Sequence, residues 1–487
     1  MTTMNTTLAQ PRSYIAGEWV QCETLDAWNV DPNTGEPVHA MVTTSSDDLE
    51  RALQLAVEVY DASDFLDDDV RLQRAEVLER AATNVEERIE EIARIDALTS
   101  GTAIGATRTV ASFLPYRLRA AAAEARTIAR VTPLAADGRD VRLHRIPWGP
   151  AAILTPWNGP SFIPAAKVAS ALAAGCPVIL KPSEHAPASA QAIVECFVDA
   201  GLPDGALQFV HGTGEIGAAL TGDRRVQVVS FTGGPGAGRA IARAAAEDFK
   251  VLQLELGGNN PALVLDDADL DVTADGLLTG MTNLNGQWCE GPGKVFAPHR
   301  LVEPLREALN ARIAKLRIGH SLDETTDIGP ISNAPHFRTL LQRIDGLREL
   351  GAEIDQVGEL PDLGGFFLSP TVATGSDPDR TTAELFGPVI SLHGVDSDGE
   401  ALRLANANPS GLDAYVFGTD TDHAIAIGSR VRSGEVRVNG AKVADLGADS
   451  AQSFWGPSGI GGHGPAESVR VFCGDRVVGV DSPDLPM

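Results

Sequence analysis

The stretch Ala151-Ala152-Ile153-Leu154-Thr155-Pro156-Trp157-Asn158 opens a run in which short apolar strands alternate with helices as far as Glu255. The apolar runs predict strands at 151–154, 177–180, 207–210 and 226–231. Helical periodicity predicts helices between them, at about 163–173, 187–200 and 237–246. Such alternation is typical of a parallel, doubly wound sheet, whose ligands bind at the carboxyl ends of the strands.

A second alternation of the same kind begins at Pro261. Its predicted strands are 262–265, 294–297, 389–393, 414–417 and 435–438. Its predicted helices are 270–288, 304–316, 334–350 and 421–431. Upstream of both runs, the pattern predicts a short strand at 14–20 and helices from 47 to about 125. The turn sequence Ala136-Asp137-Gly138-Arg139 predicts a hairpin between 127–132 and 140–145.

Composition limits the classes of partner. The chain carries 39 basic and 66 acidic residues, a net charge of −27, which disfavours nucleic acid and anionic membranes as partners. The five cysteines include no CxxC, and the histidines form no ligand-spaced group, so no metal is expected. Residues 1–10 lack the features of a secretory signal, and the longest apolar run, 168–180, is too short to cross a bilayer. We therefore expect a cytoplasmic location.

Two residues of the central region could perform covalent chemistry on a carbonyl group. Cys289, in Asn285-Gly286-Gln287-Trp288-Cys289, supplies a thiol that is nucleophilic when it is ionised. Glu255, in Glu255-Leu256-Gly257-Gly258-Asn259-Asn260-Pro261, supplies a carboxylate that could accept a proton from water. Taken alone, each residue also suits an ordinary role, as a buried small side chain or a solvated turn residue.

Four further motifs accompany this pair in a fixed order. They are Leu154-Thr155-Pro156-Trp157-Asn158, Lys181-Pro182-Ser183-Glu184, Phe231-Thr232-Gly233-Gly234 and Glu384-Leu385-Phe386-Gly387-Pro388-Val389. With the two central segments, this set resembles the aldehyde dehydrogenase superfamily of the NAD(P)-dependent, hydrolytic, non-CoA-acylating type. The resemblance extends from Ile15-Ala16-Gly17-Glu18-Trp19 to about Val480, nearly the whole chain.

The resemblance implies a role for each catalytic residue. Cys289 would attack an aldehyde and carry a thioester, and Asn158 would stabilise the oxyanion together with the Cys289 backbone N–H. Glu255 would activate the water that hydrolyses the thioester, and Lys167 would support Glu255. Hydride would pass to the nicotinamide of the cofactor, and the product would be a carboxylic acid.

The resemblance also implies a cofactor site that prefers NAD to NADP. Glu184 and Lys181 would meet the adenosine ribose, where a carboxylate would repel a 2′-phosphate. Gly214 lies in a GxGxxG sequence that we discount as the main fingerprint, because no acidic residue ends a following strand at the right distance. Gly234 departs from the family's usual serine. The expected cofactor contacts are Thr155, Pro156, Trp157, Lys181, Glu184, Gly214, Gly233, Gly234, Leu256, Gly257, Glu384 and Phe386.

The expected substrate pocket is lined by Gly159, Ile163, Ala166 and Trp288. Small residues at 159 and 166 would open its mouth, and Trp288 would form one flat wall. A polar loop, 439–456, with Lys442, Asp445 and Asp449, would lie on the substrate side. A bulky, cyclic or aromatic aldehyde is therefore expected. A semialdehyde acid, held by Lys442 or Arg437, remains an alternative.

These inferences predict an α/β fold with two doubly wound α/β domains and a small β-hairpin flap. The cofactor-binding domain would comprise 1–125 and 148–256, the catalytic domain 257–468, and an oligomerisation segment 126–147 and 469–487. The resemblance implies a homodimer or homotetramer. A CoA-acylating enzyme of the same superfamily is one alternative, against which Glu255 argues, because members that transfer to CoA generally lack this base. A catalytically weak structural relative is the other, because Gly234 and Glu290-Gly291-Pro292 depart from the family pattern. The Glu290 carboxylate would raise the thiol pKa if it faced inward, and we expect it to face away.

Overall fold

The computed structural model describes residues 8–128, 131–134, 138–444, 446–447, 450–464 and 467–481. Within these residues, no helix combines the length and the apolar character needed to cross a membrane. The expected turn residues Ala136 and Asp137, and the loop acids Asp445 and Asp449, lie outside the described residues.

The first half of the chain builds helices and the strands of one large sheet. Its strands are β1 (Arg12–Ile15), β2 (Glu18–Gln21), β3 (Glu23–Val30), β4 (Pro37–Thr43), β5 (Thr132–Pro133), β6 (Val141–Pro147), β7 (Ala151–Leu154), β8 (Val178–Lys181), β9 (Leu207–Phe209), β10 (Val228–Gly233) and β11 (Val251–Leu256). Its helices are α1 (Ser46–Ala62), α2 (Asp68–Glu87), α3 (Ile89–Ser100), α4 (Ile104–Ser112), α5 (Leu114–Ala125), α6 (Phe162–Ala174), α7 (Ala188–Asp199), α8 (Gly214–Gly222) and α9 (Pro235–Ala245).

The second half builds the other large sheet and returns to the first. Its strands are β12 (Asn260–Val264), β13 (Pro292–Pro298), β14 (Glu353–Asp355), β15 (Thr371–Thr374), β16 (Val389–Val395), β17 (Asp413–Phe417), β18 (Glu435–Val438), β19 (Gln452–Ser453), β20 (Gly459–Ile460), β21 (Gly462–His463) and β22 (Cys473–Gly479). Its helices are α10 (Leu270–Thr282), α11 (His299–Ile313), α12 (Ala334–Glu349), α13 (Asp398–Ala407) and α14 (Thr421–Gly428).

Both large sheets are doubly wound. The first has the order β2-β1-β9-β8-β7-β10-β11-β20, in which β9 to β11 are parallel. The second has the order β14-β15-β16-β13-β12-β17-β18, parallel except for β14. The central strands of both sheets, such as β7, β8, β12 and β17, are buried on both faces. This is expected where helices cover both sides of a parallel sheet. This architecture confirms the expected α/β class.

The small sheet formed by β22, β6 and β5 contains the expected hairpin and its C-terminal partner. β22 pairs with β6 in antiparallel register, from Cys473 opposite Pro147 to Gly479 opposite Val141. The strand begins after a 3₁₀ turn at Arg470–Phe472 rather than at Val469. Val477 and Val478 are exposed on it.

Several local predictions differ from the structure. The strand expected at 14–20 is two strands, because a tight turn with positive φ at Ala16 and Gly17 reverses the chain. The helix expected at 270–288 ends at Thr282, since Leu284, Asn285 and Gly286 adopt left-handed conformations. The β3–β4 ribbon, α8, α13 and the strand pair β14–β15 at one edge of the second sheet were not predicted. β20 pairs with β11, so the segment near residue 459 joins the first sheet although it lies within 257–468, the range expected for the catalytic domain.

Candidate active site

The expected catalytic and cofactor motifs meet at the carboxyl edge of the first sheet. β7 ends at Leu154, directly before Thr155, Pro156, Trp157 and Asn158. Leu154 is opposite Lys181 of β8 and Phe231 of β10, and Thr232 of β10 is opposite Glu255 of β11. The strand register therefore brings together motifs that are separated by up to a hundred positions along the chain.

A tightly tethered loop carries Cys289 toward this edge from the second sheet. Gly286, at φ +73°, approaches the backbone of Gly387 and Pro388 so closely that any side chain would collide. The Asn285 amide donates to the carbonyls of Gly101 and Pro330 at 2.8 and 2.9 Å. Three successive left-handed residues cost conformational energy, which these contacts offset.

Asn260 fixes the far side of the same loop. Its side-chain amide donates to the carbonyl oxygens of Cys289 and Gly291, at 2.8 and 2.9 Å. Because these carbonyls flank Glu290, the loop is held on both sides of that residue. The Cys289 carbonyl is thereby turned away from the pocket by a specific donor.

The Cys289 thiol is partly exposed and lies in a negative electrostatic environment. Burial, followed by the carboxylates of Glu290, Glu255 and Glu384, raises the thiol pKa well above its ordinary value. The Glu290 carboxylate itself is directed into the protein, where it contacts Arg437 at 3.4 Å. It therefore faces away from the pocket, as expected, but its charge still opposes thiolate formation.

Glu255 is held as a carboxylate beside a buried lysine. Its Oε1 lies 2.7 Å from Lys167 Nζ, and its Oε2 lies 3.4 Å from the Thr232 hydroxyl and 3.5 Å from His463 Nδ1. Burial opposes ionisation, but the charges of Lys167 and His463 outweigh it and hold the pKa of Glu255 well below its usual range. Lys167 also donates to Ser230 and Gln253, so its ammonium group is fully satisfied.

Asn158 joins the first-sheet edge to the nucleophile loop. Its side-chain Nδ2 donates to the backbone carbonyl of Gln287 at 2.9 Å, two residues before Cys289. A primary amide has a second N–H, which remains to serve as an oxyanion donor. The contact thus orients the amide toward the thiol loop without consuming both of its hydrogens.

Glu384 and Phe386 stand over the glycine pair that follows Glu255. The Glu384 carboxylate accepts from the Gly258 N–H at 3.2 Å and lies so close to Gly257 that a side chain there would displace it. Burial raises the pKa of Glu384 to about 7. Phe386, at φ +54°, packs edge-on against Trp157 with centroids 5.6 Å apart. A strained backbone at such a position is a feature of ligand sites.

The expected adenosine side is an open concavity at helix starts. The Lys181 ammonium is buried, donates to the Pro182 carbonyl and lies 3.7 Å from the partly exposed Glu184 carboxylate. α8 begins at Gly214 and α9 follows Gly234, and open space surrounds both glycines where a side chain would project. Gly233 closes the end of β10, beside Leu256 of β11. Helix N-termini with free space above them favour phosphate groups.

The expected substrate residues divide into two groups. Gly159, Ile163 and Ala166 share one partly exposed face at the start of α6, where Ile163 occupies the space above Gly159. Trp288 instead is 6% exposed and lines a small cavity with Glu384 and Phe386. The Trp288 indole is thus largely buried on the side of Glu384 and Phe386, and its role as a flat wall of the substrate pocket stays a prediction.

Three contacts of the site were not anticipated from the sequence. His463 approaches Glu255, the His336 ring contacts the rings of both Trp157 and Phe386, and Arg437 reaches Glu290. His336 Nε2 also contacts the Phe386 carbonyl at 2.7 Å. Isolated histidines and arginines carry no local signal; only a glycine-rich segment around His463 marked that region. Across the described residues, no group of three or more potential ligands could hold a metal ion.

The thiol of the free protein should ionise only at alkaline pH. Because the folded-state pKa is raised, the rate of Cys289 alkylation by iodoacetamide should keep rising beyond about pH 8.5, the ordinary value for a free thiol. Peptide mass spectrometry across that range would measure the rate at Cys289 alone, with Cys289→Ala as the control for assignment. A plateau at or below neutral pH would contradict the negative environment described above.

Comparison with known proteins places the chain in one family. The geranial dehydrogenase of Castellaniella defragrans is 31% identical over 96% of this chain and 100% of its own. The glutarate-semialdehyde dehydrogenase of Pseudomonas putida is 31% identical over 96% of both chains. The betaine aldehyde dehydrogenase of Staphylococcus aureus, solved with NAD+, matches with a TM-score of 0.91 at 27% identity, covering 98% of this chain and 96% of that chain. Since the aldehyde dehydrogenase family model also matches residues 19–478, this chain belongs to the aldehyde dehydrogenase family.

Proposed function

We propose that the protein oxidises an aldehyde to the carboxylic acid with NAD, through a thioester on Cys289 that Glu255 helps to hydrolyse. One observation carries the proposal: the Asn158 amide contacts the loop of Cys289, while Glu255 is held ionised on β11, two strands away from β7 in the same sheet. A nucleophile, an oxyanion donor and a base thus share one edge of the sheet. These three roles are what covalent oxidation followed by hydrolysis requires.

In the first half-reaction, Cys289 attacks the aldehyde carbonyl as its thiolate. The developing oxyanion is stabilised by the free N–H of Asn158 and by the Cys289 backbone N–H, whose position Asn260 fixes through the adjacent carbonyl. One such donor is worth about 3 kcal/mol in comparable sites. The raised thiol pKa means that a positive charge brought near the thiol would favour the reactive form.

The residues at the first sheet's edge fit NAD. When bound, NAD supplies a nicotinamide ring that accepts hydride. Glu384 and Phe386, with Trp157 behind, would hold the nicotinamide half against Leu256 and Gly257. Gly234 and Gly214 leave the starts of α9 and α8 free of side chains for the pyrophosphate, and Gly233 at the end of β10 would lie beside it. Thr155, Pro156, Lys181 and Glu184 would contact the adenosine half.

In the second half-reaction, Glu255 takes a proton from water that attacks the thioester. The carboxylate is already ionised, so it needs no prior deprotonation at neutral pH. Its contact with Lys167 at 2.7 Å makes it a weak base in this position, since a stabilised carboxylate binds protons poorly. Loosening of that contact is therefore part of the proposed hydrolytic step.

The alternatives have less support. A CoA-acylating enzyme would not need the ionised Glu255, and a purely structural relative would not need the close contact between Asn158 and the thiol loop. A semialdehyde acid requires a free cation beside the substrate. Arg437 cannot serve, because Asp413, Glu435 and Glu290 surround it, and Lys442 is exposed. The geranial and glutarate-semialdehyde dehydrogenases are equally similar to this chain, so sequence identity does not decide between a bulky aldehyde and a semialdehyde acid as the substrate.

A bulky aldehyde fits the substrate side best. Gly159 and Ala166 are small, so Ile163 is the largest of the three side chains expected on the helical face beside Asn158. Phe454 stands on the Glu255 side, its ring 6.1 Å from that of His463, and supplies a further aromatic surface. A cyclic, aromatic or branched aldehyde would cover both surfaces.

We also propose a homodimer or homotetramer in which β22 forms the contact. Val477 and Val478 are exposed on that strand, 60% and 51%, and apolar side chains on a sheet favour association. Sedimentation should show more than one chain per particle, and Val478→Lys should favour the monomer. A monomeric wild-type protein would contradict this assembly.

Replacing Glu255 with Gln should slow thioester hydrolysis more than hydride transfer. The expected trace is a burst of about one NADH per active site, followed by turnover slowed by at least about 100-fold. Stopped-flow NADH absorbance separates the two phases. Cys289→Ala is the matched control and should lose both. If Glu255→Gln instead loses burst and steady state together, Glu255 has another role.

Glu184 should set the preference for NAD. The wild type should favour NAD over NADP by at least about 10-fold in kcat/KM, equivalent to about 1.4 kcal/mol. Glu184→Ala should narrow that ratio, whereas the exposed control Glu247→Ala should leave it unchanged. Equal kcat/KM for the two cofactors in the wild type would overturn the assignment.

Substrate size should follow the open face beside Asn158. We expect kcat/KM for benzaldehyde or a branched aldehyde to exceed that for acetaldehyde and succinic semialdehyde. Ala166→Trp should reduce kcat/KM for the bulky substrates by at least about 10-fold and affect acetaldehyde less. The proposal fails if acetaldehyde or succinic semialdehyde is the best substrate of the wild type.

A further inference from the structure

A buried ionic cluster lies directly behind the proposed nucleophile. Arg437 of β18, 3% exposed, contacts Asp413 at 2.9 Å, Glu435 at 2.6 Å and Glu290 at 3.4 Å. All three carboxylates are themselves largely buried, and Glu290 is the residue after Cys289. The arginine and its three acidic partners form the Arg437 cluster.

The charges of the Arg437 cluster do not balance if every acid is ionised. One guanidinium faces three carboxylates, and unpaired buried charge is costly. Burial, and then the neighbouring Glu290, raises the pKa of Asp413 well above its ordinary value. The cluster is thus held by Arg437, whose removal would leave carboxylates facing one another.

One arm of the cluster reaches the nucleophile. The Tyr415 hydroxyl donates to the Glu290 carbonyl, and Arg437 holds the Glu290 side chain. Asn260, which holds the Cys289 and Gly291 carbonyls, accepts the Asp413 backbone N–H at 3.2 Å. The backbone from Cys289 to Gly291 is therefore tied to β17 through Tyr415 and Asn260, and the Glu290 side chain is tied to β18 through Arg437.

The other arm reaches the base. Glu435 Oε2 accepts from the Gln452 side-chain amide at 2.7 Å. Gln452 of β19 is the antiparallel partner of His463 in β21. His463 Nδ1 in turn lies 3.5 Å from Glu255 Oε2. A continuous series of contacts therefore runs from Arg437 through Glu435, Gln452 and His463 to Glu255.

We propose that Arg437 is a positioning residue that sets the placement of Cys289 relative to Glu255. The two groups come from different sheets, Cys289 from the loop before β13 and Glu255 from β11, so their separation depends on contacts between elements. Arg437 bonds to both arms at once, which its planar, multiply donating guanidinium permits. The inference rests on the proposed function and names a determinant of its two half-reactions.

Single-arm variants test the proposal with separate readouts. Gln452→Leu should slow steady-state turnover by about 10-fold or more while the NADH burst stays fast, because only the base is displaced. Glu290→Ala should slow the burst by a similar factor. Glu290→Gln, which can still accept from Arg437, should restore the burst and make Cys289 alkylation faster at neutral pH, since a negative charge near the thiol is lost. Arg437→Lys should slow both phases.

Arg306→Met is the matched control in the same half of the chain. Arg306 of α11 also contacts three carboxylates, those of Glu303, Glu353 and Asp355, but belongs to neither arm. The Arg306→Met variant should have a lower melting temperature and an unchanged ratio of burst rate to steady-state rate. The inference is overturned if Gln452→Leu and Glu290→Ala slow both phases equally, or if Arg437→Lys leaves both within about 2-fold of wild type.

The proposed function and the proposed role of Arg437 can be refuted separately. A wild type that forms no NADH with any aldehyde refutes the function itself. A wild type with a normal burst and turnover, combined with unaffected single-arm variants, refutes only the role of Arg437. If Arg437→Lys fails to fold, Gln452→Leu and Glu290→Ala still decide, because both retain the arginine.

Discussion

The buried ion pair between Lys167 and Glu255 is the interaction on which the proposed chemistry depends. A carboxylate in this environment would bind a proton if it were alone, and a protonated acid cannot activate water. Lys167, itself satisfied by Ser230 and Gln253, removes that possibility. The same contact lowers the basicity of Glu255. The ion pair therefore keeps Glu255 as a carboxylate but limits its strength as a base. The balance between these two effects governs the hydrolytic step.

The thiol lies in the opposite electrostatic situation. Three carboxylates near Cys289 raise its pKa, whereas the single guanidinium of Arg437 is shared among three acids. In the free protein, Cys289 is therefore held as the protonated thiol, which reacts with electrophiles more slowly than the thiolate does. The positive charge of an oxidised nicotinamide ring held by Glu384 and Phe386 would reverse that preference. In the proposed cycle, thiol activation would thus accompany cofactor binding.

Strained backbone conformations occur in the Cys289 loop and at the aromatic clamp beside it. Leu284, Asn285 and Phe386 have positive φ, although none is glycine. Asn285 is held by its three backbone partners, and Phe386 by His336 and Trp157. Such conformations persist only where the surroundings over-determine them. Rigid placement of the thiol loop and of the aromatic clamp therefore depends on contacts from several separate elements.

The sequence by itself determined the strand and helix alternation, the class of fold, and the identity of Cys289, Glu255, Asn158 and Lys167 as candidates. Periodicity is a local property of the chain and predicts the elements, whereas the catalytic candidates followed from the resemblance of the ordered motifs to a known family. Only the tertiary structure decided that Trp288 is buried, that His463 meets Glu255, and that Arg437 is enclosed by three acids rather than free for a substrate. The physical reason is that burial and charge pairing join residues distant along the chain, such as Glu290 and Arg437. No local pattern records which of them will meet.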